Sequence, residues 1–132
     1  MIKIQEENFN VEVEINSIKK IHSNVGAVTS FIGYVRDNNH NTNVESINLE
    51  VYEKMAYKQF NKIIAEANLK WSLIDTLIIH RYGKLQVNDK IVLVASFSSH
   101  RKDSFAACNF IMDYLKKDAP FWKNEFYDKK NE

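Results

Sequence analysis

The chain has 132 residues, 45% of them apolar and 27% charged, with a formal net charge of +1. That is enough sequence for one domain with its own core, and the composition is that of an ordinary soluble globular protein. Near-neutral charge excludes a general polyanion binder, so any anion site has to be built locally.

The N-terminal stretch MIKIQEENFN has no apolar core of the signal-peptide kind, and no apolar run approaches the roughly 18 residues of a membrane span. A cytoplasmic protein is the expectation. A single cysteine, Cys108, cannot form an internal disulfide, which fits a reducing compartment.

In chain order, residues 2–5 predict a short strand and residues 11–15, with Ile18 and Ile21 at helical spacing, a short helix. Asn24-Val25-Gly26 punctuates the chain. The stretch 26–36, GAVTSFIGYVR, carries β-branched and aromatic residues at both parities and predicts a strand buried on both faces, with Gly33 marking a bulge or a close backbone approach. The polar run DNNHNTN at 37–43 reads as a mobile loop. Residues 44–52 alternate and predict the strand that partners 26–36. Met55, Ala56, Phe60, Ile63, Ile64 and Ala67 recur at helical spacing over 53–69, with Trp71 sealing the far end. A third long strand is predicted at 73–82, turns at Gly83-Lys84 and Asn88-Asp89, and a strongly apolar strand at 91–99. The helix that follows shows Phe105, Cys108, Met112 and Leu115 as its apolar stripe; Pro120 stops it, and 121–127 reads as a short edge strand. No repeat or linker divides the chain, so residues 1–132 read as one domain of α+β, or mixed α/β, class.

The chemistry concentrates in SSHRKDSFAACNFIMDYLKKDAPFWK, residues 98–123. His100 and Arg101 stand where a strand ends and a helix begins. A helix N-terminus already carries partial positive charge, so two bases there oppose the helix and suggest an anion site. Lys116 and Lys117 close the same helix and Lys123 follows just past Pro120. Each lysine also has a plain reading, as a partner of the helix dipole or a solvated surface group. In a cluster, however, a lysine can hold phosphate as a point charge or act as nucleophile or base, and Lys116 and Lys123 suit such a division. Arg36 ends its strand beside the polar loop, a usual place for a functional residue on a rigid scaffold. His80 reads as a hydrogen-bonded core histidine and Arg81 as a surface or packing residue. Glu50 and Glu53, near a helix start, read as dipole partners more than as acid/base groups. The histidines His22, His40, His80 and His100 are scattered without metal-ligand spacing, and there is no glycine-rich phosphate loop. No metal or cofactor is expected. Cys108, between Phe105 and Met112, reads as a small buried hydrophobe and an inert thiol; if the protein handles sulfur, the sulfur comes from elsewhere.

Five stretches in order resemble one family: Gly26-Ala27-Val28 to Val35-Arg36; Leu49-Glu50-Val51-Tyr52 with Met55; His80-Arg81-x-Gly83-x-Leu85; Ser99-His100-Arg101 with Phe105; and Asp113-Tyr114-Leu115-Lys116 to Pro120-Phe121-Trp122-Lys123. Together they resemble the molybdopterin synthase catalytic (large) subunit, the MoaE family, over residues 26–125. The resemblance implies an α/β hammerhead-type fold with a small additional α+β portion. It implies a sulfurtransferase of molybdenum cofactor biosynthesis that converts cyclic pyranopterin monophosphate into the dithiolene of molybdopterin. Sulfur would arrive as the thiocarboxylate on the C-terminal Gly-Gly of a small ubiquitin-like partner, in a heterotetramer built on a homodimer of catalytic subunits. It implies catalytic roles for Lys116 and Lys123 and substrate-pocket roles for Arg36, His100, Arg101 and Phe31. The family continues past PFWK into a longer tail, whereas this chain stops at Glu132, so a pocket contact from that tail is missing or supplied differently. Two other readings stand beside it: a non-catalytic phosphate- or nucleotide-binding module using the same cations, and a dimer scaffold.

Overall fold

The computed structural model describes residues 1–37 and 44–127, with the backbone alone at 44–45 and 123–127. The loop predicted at 37–43 lies, past Asp37, outside the described residues. In order the elements are β1 (Ile2–Gln5), α1 (Val11–Lys19), β2 (Ala27–Tyr34), β3 (Val44–Val51), α2 (Glu53–Lys70), β4 (Asp75–Arg81), β5 (Gly83–Gln86), β6 (Lys90–Ser98), α3 (Arg101–Asp118) and β7 (Phe121–Tyr127). They form a four-stranded sheet, β1-β4-β6-β2, and a three-stranded sheet, β5-β3-β7. The α+β class holds.

Alternation along β4 and β6 sends side chains to both faces of the larger sheet, and both faces are covered. Leu77, Ile79, Leu93, Ala95 and Phe97 pack with Phe9 and Ile18 on the α1 side. On the other side Ile78, Val92 and Val94 pack against Ala56, Phe60, Ile63 and Ala67 of α2 and Cys108 and Ile111 of α3. Asn10 caps α1 by accepting the Val13 N–H at 3.0 Å. The smaller sheet has its own cluster of Val35, Ile47, Leu49 and Leu85.

Three sequence expectations are corrected. Among the described residues β2 is not a central strand but the edge of the larger sheet, pairing only with β6, and Ser30, Phe31 and Tyr34 are exposed along it. Its apolar residues at both parities reflect one covered face and an uncovered rim. β3 does not pair with β2; its partners are β5 and β7, because the chain leaves the first sheet after Tyr34 and builds a second. Gly83 does not make a tight turn but begins β5, and its φ of +86° lets the chain swing from β4 in one sheet to β5 in the other. The expectation at Gly33 stands: the β2–β6 register shifts between Gly33 and Tyr34, and a Cβ there would lie 2.9 Å from Val92 Cγ1.

Candidate active site on the third helix

The placement of α3 follows from a hydroxyl cluster. Ser104 is fully buried and donates to the Ser96 carbonyl at 3.0 Å, while the Ser96 hydroxyl donates back to the Ser104 carbonyl at 2.5 Å. Thr29 of β2 joins through the Ser104 hydroxyl at 2.6 Å. One turn further on, the Cys108 thiol points at the Val94 carbonyl, 3.8 Å away. Four helix residues thus match two strand residues, about 6 Å in each case, so α3 runs antiparallel to β6 and in step with it. Continuing that step puts Lys116 level with Lys90, whose β2 partner is Tyr34. Arg36 lies two residues past Tyr34, at the same end.

The flanks of α3 separate the two adjacent lysines. Phe105, Met112 and Lys116 recur at i, i+7 and i+11 and share one flank; Phe110, Tyr114 and Lys117 recur at i, i+4 and i+7 and share the other. The second flank meets α2, where the Trp71 ring stands edge-on to Phe110 with centroids 5.3 Å apart. The first therefore faces the open β2 edge, where Phe31 shares with Gly33 and Thr29 the side of the strand turned to α3. Of the predicted stripe, Cys108 is buried and Met112 and Leu115 pack partly buried against the core, but Phe105 is 63% exposed; the buried residues of the helix are Ser104, Ala107, Cys108 and Ile111. On this geometry Lys116 lies on the flank toward β2 and Lys117 on the flank toward α2.

His100 and Arg101 occupy the opposite end. His100 is the N-cap residue of α3, in extended conformation, and makes no side-chain capping bond; its carbonyl accepts from the Ser98 hydroxyl. Gly26 lies against this turn, its N–H donating to the Ser98 carbonyl at 3.0 Å, and a Cβ at Gly26 would overlap the Ser99 carbonyl oxygen. From residue 101 to residue 116 the helix rises roughly 22 Å. By this register Lys116 and Arg36 fall at one end of α3 and β2 and His100 and Arg101 at the other, with Phe31, opposite Val94 and so level with Cys108, between the two groups. Arg36, His100, Arg101, Lys116 and Lys117 are all exposed, and among the described residues none of them is in an ion pair. Lys123 lies on β7, its backbone opposite Leu49 of β3, and its side chain is outside the described residues.

The remaining titratable groups divide clearly. Burial pushes the Cys108 thiol up to about 11, so it is protonated and unreactive at neutral pH, as its place in the core implied. Arg81 is buried, donating to the Glu6 and Lys90 carbonyls at 2.9 and 3.0 Å, and is a packing residue. His80 is held at about 4 by desolvation, against the upward pull of its bond to the Arg81 carbonyl. Glu50 accepts the Trp122 indole N–H at 2.7 Å and, with Glu53, Tyr82 and Gly83, lines a cleft of about 410 Å³ on the other sheet. Desolvation and then the Glu53, Glu6 and Glu7 charges raise the Tyr82 hydroxyl. The Glu50–Trp122 and His80–Phe121 contacts were not legible in the sequence, since each joins residues far apart in the chain. Among the described residues no cluster of side chains could hold a metal ion, and no helix is long and apolar enough to cross a membrane.

Comparison with known proteins bears on the family and the fold. The family model described as "MoaE protein" matches residues 4–118. The molybdopterin synthase catalytic subunit of Ralstonia nicotianae is 50% identical over 124 residues, covering 94% of this chain and 70% of that one. The solved molybdopterin biosynthesis MoaE protein of Burkholderia ambifaria superposes with a TM-score of 0.86 at 41% identity, over 96% of this chain and 87% of that one. At the level of fold alone, a chain in the complex of subunits 1 and 2 of the molybdopterin-converting factor of Helicobacter pylori superposes with a TM-score of 0.80 at 20% identity, over 98% of this chain and 90% of that one.

Proposed function

The chain belongs to the MoaE family, and from that premise we propose that it is the catalytic subunit of a molybdopterin synthase, a sulfurtransferase of molybdenum cofactor biosynthesis acting in the cytoplasm. Its substrate is cyclic pyranopterin monophosphate, and its sulfur donor is the C-terminal thiocarboxylate of a small ubiquitin-like partner. The observation that supports this reading is that Lys116 and Arg36 fall at the same end of the β2 edge, with Phe31 exposed further along it, combined with a cysteine too deeply buried to carry sulfur.

In this reading Arg36, His100 and Arg101 hold the cyclic phosphate and orient the pterin, Arg through paired N–H donors that match phosphate oxygens. Phe31 supplies an apolar face. The thiocarboxylate sulfur bonds to a substrate carbon and displaces an oxygen there, giving a thioester between partner and substrate. Lys116 takes the proton from a water that attacks the acyl carbon, or attacks it first to give an amide that water then cleaves. The acyl C–S bond thereby breaks, the sulfur stays on the substrate and the partner leaves as a carboxylate. Lys123 stabilises the negative charge that develops.

The distance between the two cationic groups points to a homodimer. Among the described residues β2 is an edge strand paired on one side, with exposed Phe31 and Tyr34. Two copies paired antiparallel along β2 would set the start of one strand, beside His100 and Arg101, against the end of the other, beside Arg36 and Lys116. Each site would then draw on both chains.

The test is turnover of cyclic pyranopterin monophosphate with a thiocarboxylated partner. Product from the wild type and a loss of at least ~100-fold in Lys116→Ala is expected. Mixing Lys116→Ala with Arg101→Ala should restore part of the activity, since one of the mixed sites carries neither change. A folded wild type that binds the partner and yields no product would favour a non-catalytic phosphate-binding module.

A further inference from the structure

Elements of three different layers meet at His80. Its ring lies 3.6 Å from that of Phe121 between centroids, at 19° between planes, and Phe60 of α2 stacks on the pair at 6.4 Å from His80 and 6.0 Å from Phe121. The backbone under His80 is fixed on both sides, opposite Ile4 of β1 and Val92 of β6. Its Nδ1 lies 2.9 Å from the Arg81 carbonyl, which can only accept, so Nδ1 carries the proton and the ring's tautomer is set. Phe121 is placed very differently. It is the first residue of β7, an edge strand held by β3 alone, directly after the break at Ala119 and Pro120 that ends α3. The stack therefore ties the start of a one-sided strand in the small sheet to the most rigid part of the large one.

We propose that His80 is a positioning residue: by stacking on Phe121 it fixes where β7 begins, and so where the strand presents Lys123, two residues further on. This rests on the reading of Lys123 as a catalytic group. Backbone pairing to β3 fixes the register of β7, Phe121 opposite Val51 and Lys123 opposite Leu49, but a two-stranded contact leaves the strand free to tilt and twist about that partner. A flat ring at van der Waals distance removes that freedom at one end. The neutral state of His80 suits the task, because a charged imidazolium would have to be desolvated against the Phe121 ring. The fit of a planar side chain, more than its nitrogen chemistry, is what the arrangement requires.

The test compares His80→Phe, which keeps a flat ring over Phe121, with His80→Leu, which keeps apolar bulk without one. Both lose the bond to the Arg81 carbonyl. Turnover is measured with each, alone and combined with Lys123→Ala. His80→Phe should turn over within about twofold of wild type. His80→Leu should lose ~10- to 100-fold in kcat with KM nearly unchanged, the scale of a misplacement near 1 Å. In the Lys123→Ala background His80→Leu should cost almost nothing more, since both changes remove one contribution. Wild-type kcat in His80→Leu, equal losses in the two His80 variants, or multiplying losses in the double variant would each overturn the inference. If Lys123→Ala alone turns over normally, the catalytic reading of Lys123 fails and the inference fails with it, a result separable from the others. Should His80→Leu not fold, His80→Met serves in its place, with comparable bulk and no ring.

Discussion

Burial of His80 makes stability depend on pH in a way that can be worked out in advance. Its pKa falls from the ordinary 6.5 to about 4, chiefly by desolvation. In the unfolded chain the imidazole takes up a proton below 6.5; in the folded protein it resists until about 4. Between those values the unfolded state binds more protons, so stability rises with pH across the window. The contribution is fully present above 6.5, is lost progressively on acidification, and levels off below about 4. At ~1.4 kcal/mol per pH unit the ceiling is about 3 kcal/mol, and the ring's partial exposure brings the expected figure to about 2 kcal/mol. Urea unfolding at pH 7.5 and pH 4.5 measures it, with His80→Phe as the reference that cannot titrate there. The other titrating groups, including His22 in its ion pair with Asp75, are common to both proteins and drop out of the difference. The wild type should lose about 2 kcal/mol more than His80→Phe between the two pH values. Parallel losses would refute the reasoning, because they would mean that His80 is as well solvated in the folded protein as in the unfolded one.

Other expectations follow from single contacts. Cys108, held at about 11 by burial, should react with a thiol reagent at neutral pH only at the rate at which the protein opens, and Cys108→Ala should retain sulfur transfer. Rapid labelling of the native protein would contradict its place in the core. Lys116→Ala should abolish turnover while Lys117→Ala stays within about threefold of wild type, because Lys117 shares the flank that meets α2; reversed results would exchange the two flanks. Gly26→Ala should cost about 1–3 kcal/mol in thermal or urea unfolding, since the obstacle is the Ser99 backbone carbonyl, which cannot move without shifting the α3 N-cap. Unchanged stability would show that this turn is looser than it looks.

Most of the elements were legible because their cause is local. The spacing of Ala56, Phe60, Ile63 and Ala67 fixes both the existence of α2 and its buried face, and Pro120 ends α3 wherever the helix packs. The sheets were less legible because pairing is not a local property. The residues of β2 look like those of a central strand, yet the strand has a neighbour on one side only. β3 alternates as a strand should without indicating that β5 and β7, not β2, are its partners. The site shows the same division. His100, Arg101, Lys116 and Arg36 stand out by residue type at element ends, a pattern any sequence displays. Their separation depends on helix rise, and the choice of Lys116 over Lys117 depends on which flank of α3 meets α2. Neither can be settled without the neighbours.

The two ends of α3 are also electrostatically unlike, and that bears on how a substrate would be held. Lys116 and Lys117 lie in the last turn, where the partial negative charge of the helix C-terminus favours a cation by about 0.3–1 kcal/mol each. His100 and Arg101 lie at the first turn, where the same dipole opposes them and where only Asp103 supplies a compensating charge within that turn. The C-terminal cations are thus already partly satisfied by the fold, while the N-terminal pair is not. An anion bound at His100 and Arg101 gains their charges and the unpaired N–H groups of the helix end together, and relieves the repulsion the apo protein carries. Under the proposed function, the phosphate of the substrate would therefore be better held at the N-terminal end of one helix. That leaves the lysine at the C-terminal end of the other helix in the proposed dimer unencumbered by phosphate and available to the reacting carbon and sulfur. A salt titration separates the two contributions: substrate KM should rise with ionic strength, and Arg101→Ala should flatten that dependence more than Lys116→Ala does. Equal flattening by the two changes would mean that both ends hold the phosphate, and the division of labour along α3 would have to be abandoned.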